Sequence, residues 1–301
     1  MEKSVISCDQ FTKERLDELF KLADDINSNL EKYAKSLEGK VIATLFYEPS
    51  TRTRLSFESS AMRLGANVVS TENAREASSV VKGETLKDTI RIVSGFADTI
   101  VMRHSDIDSS EVADSVSTVP IINAGSGSGE HPTQALLDMY TIKAKKGQLD
   151  NLKVAISGDL LNGRTVHSLI KLLSLYSNMT IYGLSRKFFE LPKKYIEFLE
   201  ERGVKYIACS EIDELPPDID IIYHTRTQLE RITDQRGIRI EEYIIDKKIM
   251  SRFSETTYLM HPLPRVKEIA EDVDDDPRAI YFEQAHNGIR IRMALLYQAM
   301  K

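Results

Sequence analysis

The alternation of short apolar segments with longer amphipathic ones constrains the fold of this chain more than any other feature. In the first half, apolar segments predict β-strands at 41–46, 67–70, 99–103 and 119–123. Between and after these strands, the sequence predicts helices at 52–64, 83–96 and 132–146. Strands that alternate with helices usually pair in parallel and are covered by helices on both faces. The expected fold class is therefore α/β.

The same alternation continues in the second half, with strands predicted at 152–157, 179–183, 204–208, 219–224 and 257–260. The helix after the first of these has one apolar face, made of Val166, Leu169, Ile170 and Leu173. Further helices are predicted at 193–202 and from about Gly288 to Met300. Two α/β units in 301 residues predict two doubly wound parallel-sheet domains. The boundary is expected in the glycine-rich stretch 125–129 or in the helix after it.

Composition excludes several classes of partner. The formal net charge is -6 and no Lys/Arg-rich run occurs, which argues against a nucleic-acid surface. No apolar run reaches the length of about 18 residues that a membrane span needs, and the N-terminal segment MEKSVISCDQ has no apolar core typical of a signal peptide. The two cysteines, Cys8 and Cys209, are typical of a reducing compartment. These features favour a cytoplasmic protein without nucleic-acid or membrane partners.

Ligands of open parallel sheets bind beyond the carboxyl ends of the strands, so the segment after each strand is informative. The first strand is followed by Ser50-Thr51-Arg52-Thr53-Arg54, where Ser50 is a good helix N-cap. The helix dipole and the guanidinium fork of Arg52 predict an anion site, most naturally for phosphate. Arg54 is interpreted as holding the turn and its neighbouring acids. The alternative is a polar cap with solvated arginines.

Two later strand ends add further polar groups. Arg103 ends the strand 99–103, and His131 begins the helix that carries Gln134 in its first turn. A histidine and a glutamine at this spacing can direct two hydrogen-bonding groups at one small ligand. The alternative for this pair is a capping histidine with an exposed glutamine.

The segment 158–165 resembles the phosphate-binding motif G-x-x-x-x-G-K-[ST], but Arg164 occupies the lysine position. Arginine does not replace the compact charge of that lysine, so we reject a nucleotide triphosphatase. Arg164 remains a candidate anion ligand at a strand-to-helix turn.

The last two strands are followed by Thr225–Arg231 and by His261-Pro262-Leu263-Pro264-Arg265. The two prolines predict a stiff loop that could present backbone carbonyls to a ligand ammonium group. The alternative for both segments is an ordinary loop. Arginines thus follow candidate strands throughout the chain, at positions 52, 54, 103, 164, 226, 231 and 265. This pattern predicts a small, multiply anionic ligand held between two α/β domains.

Other site types lack support. The acidic run Asp272–Asp276 misses the EF-hand spacing and ends at Pro277, so we interpret it as a solvated loop. No G-x-G-x-x-G follows a strand, and no G-x-S-x-G occurs.

Four motifs together resemble the aspartate/ornithine carbamoyltransferase family over nearly the whole chain. They are Ser-Thr-Arg-Thr-Arg at 50–54, His-Pro-Thr-Gln at 131–134, Gly-Arg-Thr at 163–165 and His-Pro-Leu-Pro-Arg at 261–265. The ornithine enzymes usually carry His-Cys-Leu-Pro in the last motif, so Pro262 favours the aspartate branch. The segment Thr225–Arg231 also resembles that branch.

The resemblance implies two domains with the active site in the cleft between them. Residues 1–132, joined by the C-terminal helix 287–301, would bind carbamoyl phosphate, and residues 133–286 would bind aspartate. The implied catalytic residues are Arg52, Thr53, Arg103 and His131. The implied carbamoyl phosphate ligands are Ser50, Thr51, Arg52, Thr53, Ser78, Lys82, Arg103, His131 and Gln134. The implied aspartate ligands are Lys82, Arg164, Arg226, Gln228, Leu263 and Pro264.

The resemblance also implies the reaction and the assembly. The carbamoyl group would pass from carbamoyl phosphate to the amine of L-aspartate without a metal or other cofactor. Ser78 and Lys82, in the segment 76–84, would reach a neighbouring active site, so the active unit would be a homotrimer. Glu48 is a candidate partner of Arg164 or Arg231, and binding of regulatory chains is left open. There are two rival hypotheses. One is an ornithine enzyme, in which Arg226 and Gln228 would have no second carboxylate to bind. The other is a non-catalytic anion-binding chain.

Overall fold

The computed structural model describes residues 3–72, 83–227 and 243–301. The chain divides into two compact units, one formed by Met1–Leu137 with His286–Lys301 and the other by Asp138–Ala285. Among the described residues, no helix combines the length and the apolar character needed to cross a bilayer. Each unit contains its own sheet, and every strand pairing within the two sheets is parallel. The prediction of two parallel-sheet α/β domains is therefore confirmed.

The first unit has the strand order β2-β1-β3-β4. Its strands are β1 (Val41–Phe46), β2 (Asn67–Glu72), β3 (Thr99–His104) and β4 (Ile121–Ser126). Helices that begin in it are α1 (Lys13–Ser28), α2 (Leu30–Tyr33), α3 (Thr51–Arg63), α4 (Leu86–Val93), α5 (Ser109–Asp114) and α6 (Pro132–Lys146). The strand order reverses direction between β1 and β3, which makes the gap beyond their carboxyl ends the expected ligand position.

The second unit has the strand order β7-β6-β5-β8-β9 and reverses between β5 and β8. Its strands are β5 (Lys153–Ser157), β6 (Thr180–Leu184), β7 (Lys205–Cys209), β8 (Ile221–His224) and β9 (Tyr258–Met260). The remaining helices are α7 (Arg164–Leu173), α8 (Lys193–Glu201), α9 (Lys247–Met250) and α10 (Tyr281–Met300). Short 3₁₀ turns occur at Cys8–Gln10, Ile212–Glu214 and Glu271–Asp275.

Rows of apolar side chains that run across the strands form the cores. In the first unit, Ala43 pairs with Ile100 and Ile100 pairs with Ile121, and all three belong to one buried cluster. In the second unit, Ala155, Ile222 and Leu259 form the equivalent row and are again fully buried. Burial of each large aliphatic side chain stabilises the fold by roughly 1.5–3 kcal/mol, which fixes the strand registers that position the polar strand ends.

The structure contains an N-terminal helix that the sequence analysis does not predict. In α1, Thr12 caps the first turn by accepting a hydrogen bond from the Arg15 amide at 3.3 Å. Its buried face repeats with helical spacing and consists of Leu16, Leu19, Phe20, Ala23 and Ile26. The cap and this spacing are visible in the sequence and could have identified the helix.

One prediction in the C-terminal region was wrong. Helix α10 begins at Tyr281 rather than near Gly288, and Gly288 lies inside it, where an added Cβ would be 3.3 Å from the Leu137 side chain. Glycine is a poor helix former, but here its small size permits close helix packing. The acidic run is largely exposed, as predicted, and two of its acids form ion pairs, Asp274 with Arg265 and Asp276 with Arg278 at 2.6 Å.

Candidate active site

The first polar constellation lies at the strand-order reversal of the first unit. Phe46 at the end of β1 pairs with Arg103 near the end of β3, so the turn before α3 begins beside Arg103. The backbone continues this pairing, since the Tyr47 amide donates to the Arg103 carbonyl at 2.9 Å. The parallel register therefore joins two predicted site segments that are about fifty residues apart in the chain.

Ser50 occupies the N-cap position of α3, but its hydroxyl does not cap the helix as predicted. Instead, Ser50 Oγ accepts a hydrogen bond from the Arg103 guanidinium at 3.2 Å. The Arg54 amide donates to the Ser50 carbonyl at 3.3 Å, so the backbone begins the helix without the side chain. The hydroxyl contact holds the Arg103 side chain against the start of the helix.

Arg52 is exposed in the first turn of α3, and within the described ranges it forms no ion pair or hydrogen bond through its side chain. Surrounding protein lowers the pKa of its guanidinium by desolvation, and the nearby positive charge of Arg103 lowers the pKa further. Two guanidinium groups repel each other unless an anion lies close to both. Together with the helix N-terminus, this pair forms an arrangement suited to a phosphate group.

Arg54 lies in the same turn but is engaged by carboxylates. It forms ion pairs with Glu58 at 3.2 Å and with Glu72 at 2.9 Å. Glu58 also accepts hydrogen bonds from Thr44 and Ser70, at 3.1 and 2.6 Å. The interpretation of Arg54 as a residue that holds the turn and its neighbouring acids is confirmed.

Glu48 also lies in this turn, where it contacts Arg103 at 3.3 Å. Glu48 is predicted to pair with an arginine such as Arg164 or Arg231 when the domains close around the substrates, and this prediction stays untested beside the contact with Arg103. Glu48 and Ser50 thus hold one guanidinium from two sides, since Glu48 contacts Nε and Ser50 contacts a terminal nitrogen of Arg103. A fixed guanidinium loses little side-chain entropy on binding an anion.

His131 and Gln134 follow β4. The connection needs Gly127, which has φ 46° and packs so closely that an added Cβ would lie 2.6 Å from the Ser105 carbonyl. His131 and Gln134 are 4% and 9% exposed, so the alternative of an exposed glutamine is wrong. The His131 carbonyl accepts the Gln134 amide at 3.0 Å, so the backbone of His131 forms part of the first turn of α6.

The second constellation lies at the strand-order reversal of the second unit. Gly158 follows β5 with φ 109°, and an added Cβ would lie 2.1 Å from the Thr225 carbonyl after β8. Thr225 in turn donates its amide and its hydroxyl to the Ser157 carbonyl, at 2.8 and 3.0 Å. This close approach brings the segments that carry Arg164 and Arg226 to the same edge of the sheet.

The loop before Arg164 is not a phosphate cradle. The buried Asp159 carboxylate accepts a hydrogen bond from the Asn162 amide at 2.8 Å. In a P-loop the corresponding amides donate to phosphate, whereas here this amide already donates to a carboxylate. This geometry supports the rejection of a nucleotide triphosphatase. Arg164 begins α7 directly after this loop and is only 7% exposed, whereas Arg226 is half-buried.

The loop after β9 is fixed by internal hydrogen bonds. The Leu263 amide donates to His261 Nδ1 at 2.8 Å, and His261 Nε2 lies 2.9 Å from Glu268. Leu263 has φ 54°, a left-handed conformation that is unusual for a leucine. Arg265 bonds to Asp274 and to the Tyr281 hydroxyl, so it supports the loop rather than extending the anion site.

Two titratable groups near this loop have displaced pKa values. Burial alone would raise the pKa of Glu268, but hydrogen bonds from His261 and from the Val266 amide lower it to about 2. Burial, with a smaller contribution from His261, lowers the pKa of His224 to about 4. His224 bridges Ser157 Oγ at 3.0 Å and the Tyr243 carbonyl at 3.1 Å. Neither His224 nor Glu268 is among the site residues predicted from the sequence.

Four residues of the sequence-based site, Ser78, Lys82, Gln228 and Arg231, lie outside the described residues. Across the ranges 3–72, 83–227 and 243–301, no three histidine, cysteine or acidic side chains cluster as metal ligands would.

Comparison with known proteins identifies the family. Residues 3–144 match the carbamoyl-P binding domain of aspartate/ornithine carbamoyltransferases, and residues 150–299 match the Asp/Orn binding domain. The chain belongs to the aspartate/ornithine carbamoyltransferase family. The resemblance that the four motifs carry is confirmed.

Relatives on the aspartate side of the family are similar over almost the entire chain. The aspartate carbamoyltransferase catalytic subunit of Clostridium novyi is 47% identical, with 99% of this chain and 98% of the relative covered. The chloroplastic aspartate carbamoyltransferase of Oryza sativa subsp. japonica is also 47% identical, with 97% and 83% covered. The solved Trypanosoma cruzi aspartate transcarbamoylase in complex with carbamoyl phosphate and aspartate is 37% identical and has a TM-score of 0.91, with 100% and 97% covered.

Proposed function

We propose that this chain transfers the carbamoyl group of carbamoyl phosphate to the amine of L-aspartate, giving N-carbamoyl-L-aspartate and phosphate. This reaction is the committed step of de novo pyrimidine biosynthesis. The observation that carries the proposal is the Arg52–Arg103 pair beside the start of α3, at the strand-order reversal. The Trypanosoma cruzi relative in complex with carbamoyl phosphate and aspartate supports the choice of substrates.

The first unit binds carbamoyl phosphate in this proposal. The phosphate group contacts Ser50, Thr51, Arg52 and Thr53 at the N-terminus of α3, where backbone amides and Arg52 supply positive charge. Arg103 faces both the phosphate and the carbamoyl oxygen because Glu48 and Ser50 hold its guanidinium beside the turn. His131 and Gln134 complete the carbamoyl contacts, with Gln134 accepting from the carbamoyl amino group. Ser78 and Lys82 add further phosphate contacts.

The chemistry is a direct displacement at the carbamoyl carbon. The lone pair of the aspartate amine forms the new C–N bond, and negative charge develops on the carbonyl oxygen. Thr53, Arg103 and His131 stabilise that charge as donors of an oxyanion hole, a contribution of about 10²–10³-fold per donor in other enzymes. The C–O bond to phosphate then breaks, phosphate leaves with the electron pair, and it accepts the proton that the amine loses.

The second unit binds aspartate. Arg164, Arg226 and Gln228 bind the two carboxylates, and Lys82 adds a further positive charge. Arg164 is well suited because it is mostly buried at a helix start, where desolvation strengthens a bidentate ion pair. The backbone carbonyls of Leu263 and Pro264 accept hydrogen bonds from the amine. Binding both substrates in fixed orientation supplies most of the rate enhancement.

The proposal includes a homotrimer in the cytoplasm, with Ser78 and Lys82 contributed to a neighbouring chain. Complementation tests this part of the proposal. Mixing inactive Lys82→Ala and Arg52→Ala chains should restore part of the activity, because some hybrid trimers contain one site with both residues intact. Restoration of no activity after mixed refolding would contradict shared sites.

A two-amine assay tests the function itself. Purified protein is supplied with carbamoyl phosphate and either L-aspartate or L-ornithine, and the carbamoylated product and released phosphate are both measured. We expect phosphate and N-carbamoyl-L-aspartate in equal amounts, with at least a hundredfold preference for aspartate. Turnover of ornithine instead would assign the chain to the ornithine branch. Phosphate binding without turnover of either amine would favour a non-catalytic anion-binding chain.

A further inference from the structure

The loop 261–268 contains a closed set of hydrogen bonds that the proposed chemistry does not use directly. The Leu263 amide is a donor, so His261 Nδ1 must accept and the imidazole proton must lie on Nε2. Nε2 is then the donor to Glu268 Oε1, at 2.9 Å. The side chains of His261 and Glu268 are 1% and 2% exposed, so water does not compete for these bonds.

Glu268 binds the loop through both carboxylate oxygens. Oε1 accepts from His261, and Oε2 accepts from the amides of Val266 and Lys267, each at 3.0 Å. Three donors stabilise the ionised carboxylate despite its burial, consistent with its low pKa. Because an ionised carboxylate can only accept, it admits only the imidazole tautomer that carries its proton on Nε2.

The beginning of the loop is anchored separately. The His261 amide donates to Gln284 Oε1 at 2.9 Å, and Gln284 Nε2 donates to Asp138 at 2.6 Å. Asp138 also accepts from the Tyr223 hydroxyl at 2.8 Å. The backbone of His261 is therefore fixed by α10 and α6, while its ring is fixed by Glu268. Leu263 has a φ of 54°, a conformation that is costly for a leucine and therefore needs support from its surroundings.

We propose that Glu268 is a positioning residue, which acts through the His261 imidazole to hold the Leu263 amide and so to aim the Leu263 carbonyl at the amine of the acceptor substrate. This inference rests on the proposed function, because it assigns that carbonyl to the aspartate amine. The amine must present its lone pair to the carbamoyl carbon, and carbonyls that accept its N–H groups set the lone-pair direction. A change in the backbone torsions of Leu263, which join the held amide to the carbonyl, would lose that direction.

Glu268→Gln is a sharp test because neither amide orientation reproduces the carboxylate. If the amide oxygen faces the Val266 and Lys267 amides, the NH₂ group faces His261 and forces the imidazole proton onto Nδ1, against the Leu263 amide. If the oxygen faces His261, two backbone amides face an NH₂ group. We expect the KM for aspartate to rise about tenfold and kcat to fall by a similar factor. The affinity for inorganic phosphate should stay within twofold, which also reports an intact first unit.

His261→Asn separates positioning from general support of the fold. An asparagine oxygen can accept the amide two residues later in an Asx turn, so the Leu263 contact survives without any tautomer choice. We expect an effect of only a few-fold on kcat/KM for aspartate. In the His261→Asn background, Glu268→Gln should cause little further loss, because the group through which Glu268 acts is gone. Glu271→Gln, an exposed acid nearby, is the control and should match the wild type.

The imidazole tautomer supplies a readout that does not depend on turnover. Nitrogen NMR of protein labelled in its histidines should show the His261 proton on Nε2 in the wild type and shifted towards Nδ1 in Glu268→Gln. Multiplicative losses in the double variant, or Glu268→Gln kinetics equal to the wild type, would overturn the inference while leaving the proposed function intact. A wild type without carbamoyl transfer to aspartate would overturn the proposed function and the role in amine binding together.

Discussion

Two polar regions follow parallel strands in this protein and use their charges in opposite ways. In the turn 47–54, Arg52 pairs with no carboxylate of the described chain and is close enough to Arg103 for its pKa to fall. In the loop 261–268, His261, Arg265 and Glu268 all bond to groups of the same unit. A charged side chain that lies beside a like charge favours the binding of an oppositely charged ligand. A charged side chain that is hydrogen-bonded within its own unit instead fixes the backbone of the loop.

The turn 47–54 contains the same contrast within three residues. Arg52 and Arg54 have the same charge and both follow a threonine, but Arg54 is held by Glu58 and Glu72. Net charge therefore does not distinguish Arg52 from Arg54, whereas the two carboxylates that hold Arg54 do. The predictions below test this distinction, beginning with the largest expected effect.

Replacement of Arg52 should affect turnover and not the fold. We expect Arg52→Ala to reduce kcat for carbamoyl transfer by about 10²–10³-fold, since it removes a charge from the developing phosphate. Its thermal midpoint should equal or slightly exceed that of the wild type, because repulsion with Arg103 is relieved. Steady-state kinetics and calorimetric unfolding measure both quantities. A destabilised but active variant would reverse the roles assigned to Arg52 and Arg54.

His224, which packs beside the loop 261–268, should give the stability a defined pH dependence. Burial lowers its pKa to about 4 in the folded state, while an unfolded histidine titrates near about 6.5. Because the unfolded chain binds the proton first, stability from this group is complete above about pH 6.5 and is lost as the pH falls towards 4. The loss from this residue is about 3 kcal/mol.

Urea unfolding between pH 7 and pH 4 tests this dependence. The free energy of unfolding should fall less steeply in His224→Gln than in the wild type. His286→Gln, at an exposed histidine of α10, serves as the matched control and should keep the wild-type slope. If the free energy of unfolding falls equally with pH in the wild type and in His224→Gln, the stability of the protein does not depend on a neutral His224 imidazole.

Replacement of Arg54 should affect the fold more than turnover. In Arg54→Met, Glu58 keeps its hydrogen bonds from Thr44 and Ser70 but loses its cation. We expect the free energy of unfolding to fall by about 1–2 kcal/mol. We expect kcat to change by less than about fivefold, because Arg54 is not assigned to substrate. A loss of turnover comparable to that of Arg52→Ala would break the proposed distinction.

An exposed ion pair provides the smallest expected effect. Arg91 and Asp88 pair at 3.2 Å on α4, but their side chains are 59% and 55% exposed. Arg91→Ala should change the free energy of unfolding by no more than about 0.5 kcal/mol, because solvent screens such pairs. A larger loss of unfolding free energy in chemical denaturation would contradict this expectation. It would show that an ion pair stabilises the fold to the same degree whether or not it is shielded from solvent.

Much of the fold follows from local sequence. β1 and α6 have the predicted bounds, since β1 is apolar except for Thr44 and α6 begins at Pro132 and ends before Gly147. β4 begins at Ile121 rather than at 119 because Pro120 cannot donate a ladder hydrogen bond. The extra length of α10 was missed because Gly288 lowers helix propensity, and its packing against Leu137 depends on tertiary structure.

The site residues that directly follow strands could be predicted from the sequence. The contacts between residues that are distant in the chain were harder to predict, because they form only when the strands pair and the loops fold back. Arg52 and Arg103 could be named as ligands from their strand-end positions, but their proximity depends on the β1–β3 pairing. The Ser50 hydroxyl was assigned to the helix because capping is a local rule, whereas the structure directs it to Arg103. Glu268 carries no local signal, since its role depends on the turn that returns it to His261.

The affinity for inorganic phosphate is the most direct test of the claim that Arg52 binds the anion and that Arg54, held by Glu58 and Glu72, does not. Titration calorimetry at constant ionic strength would compare the wild type, Arg52→Ala and Arg54→Met. We predict that Arg52→Ala weakens phosphate binding at least tenfold, a loss of about 1.4 kcal/mol or more, while Arg54→Met stays within twofold of the wild type. Equal weakening by both substitutions, or by neither, would contradict the claim.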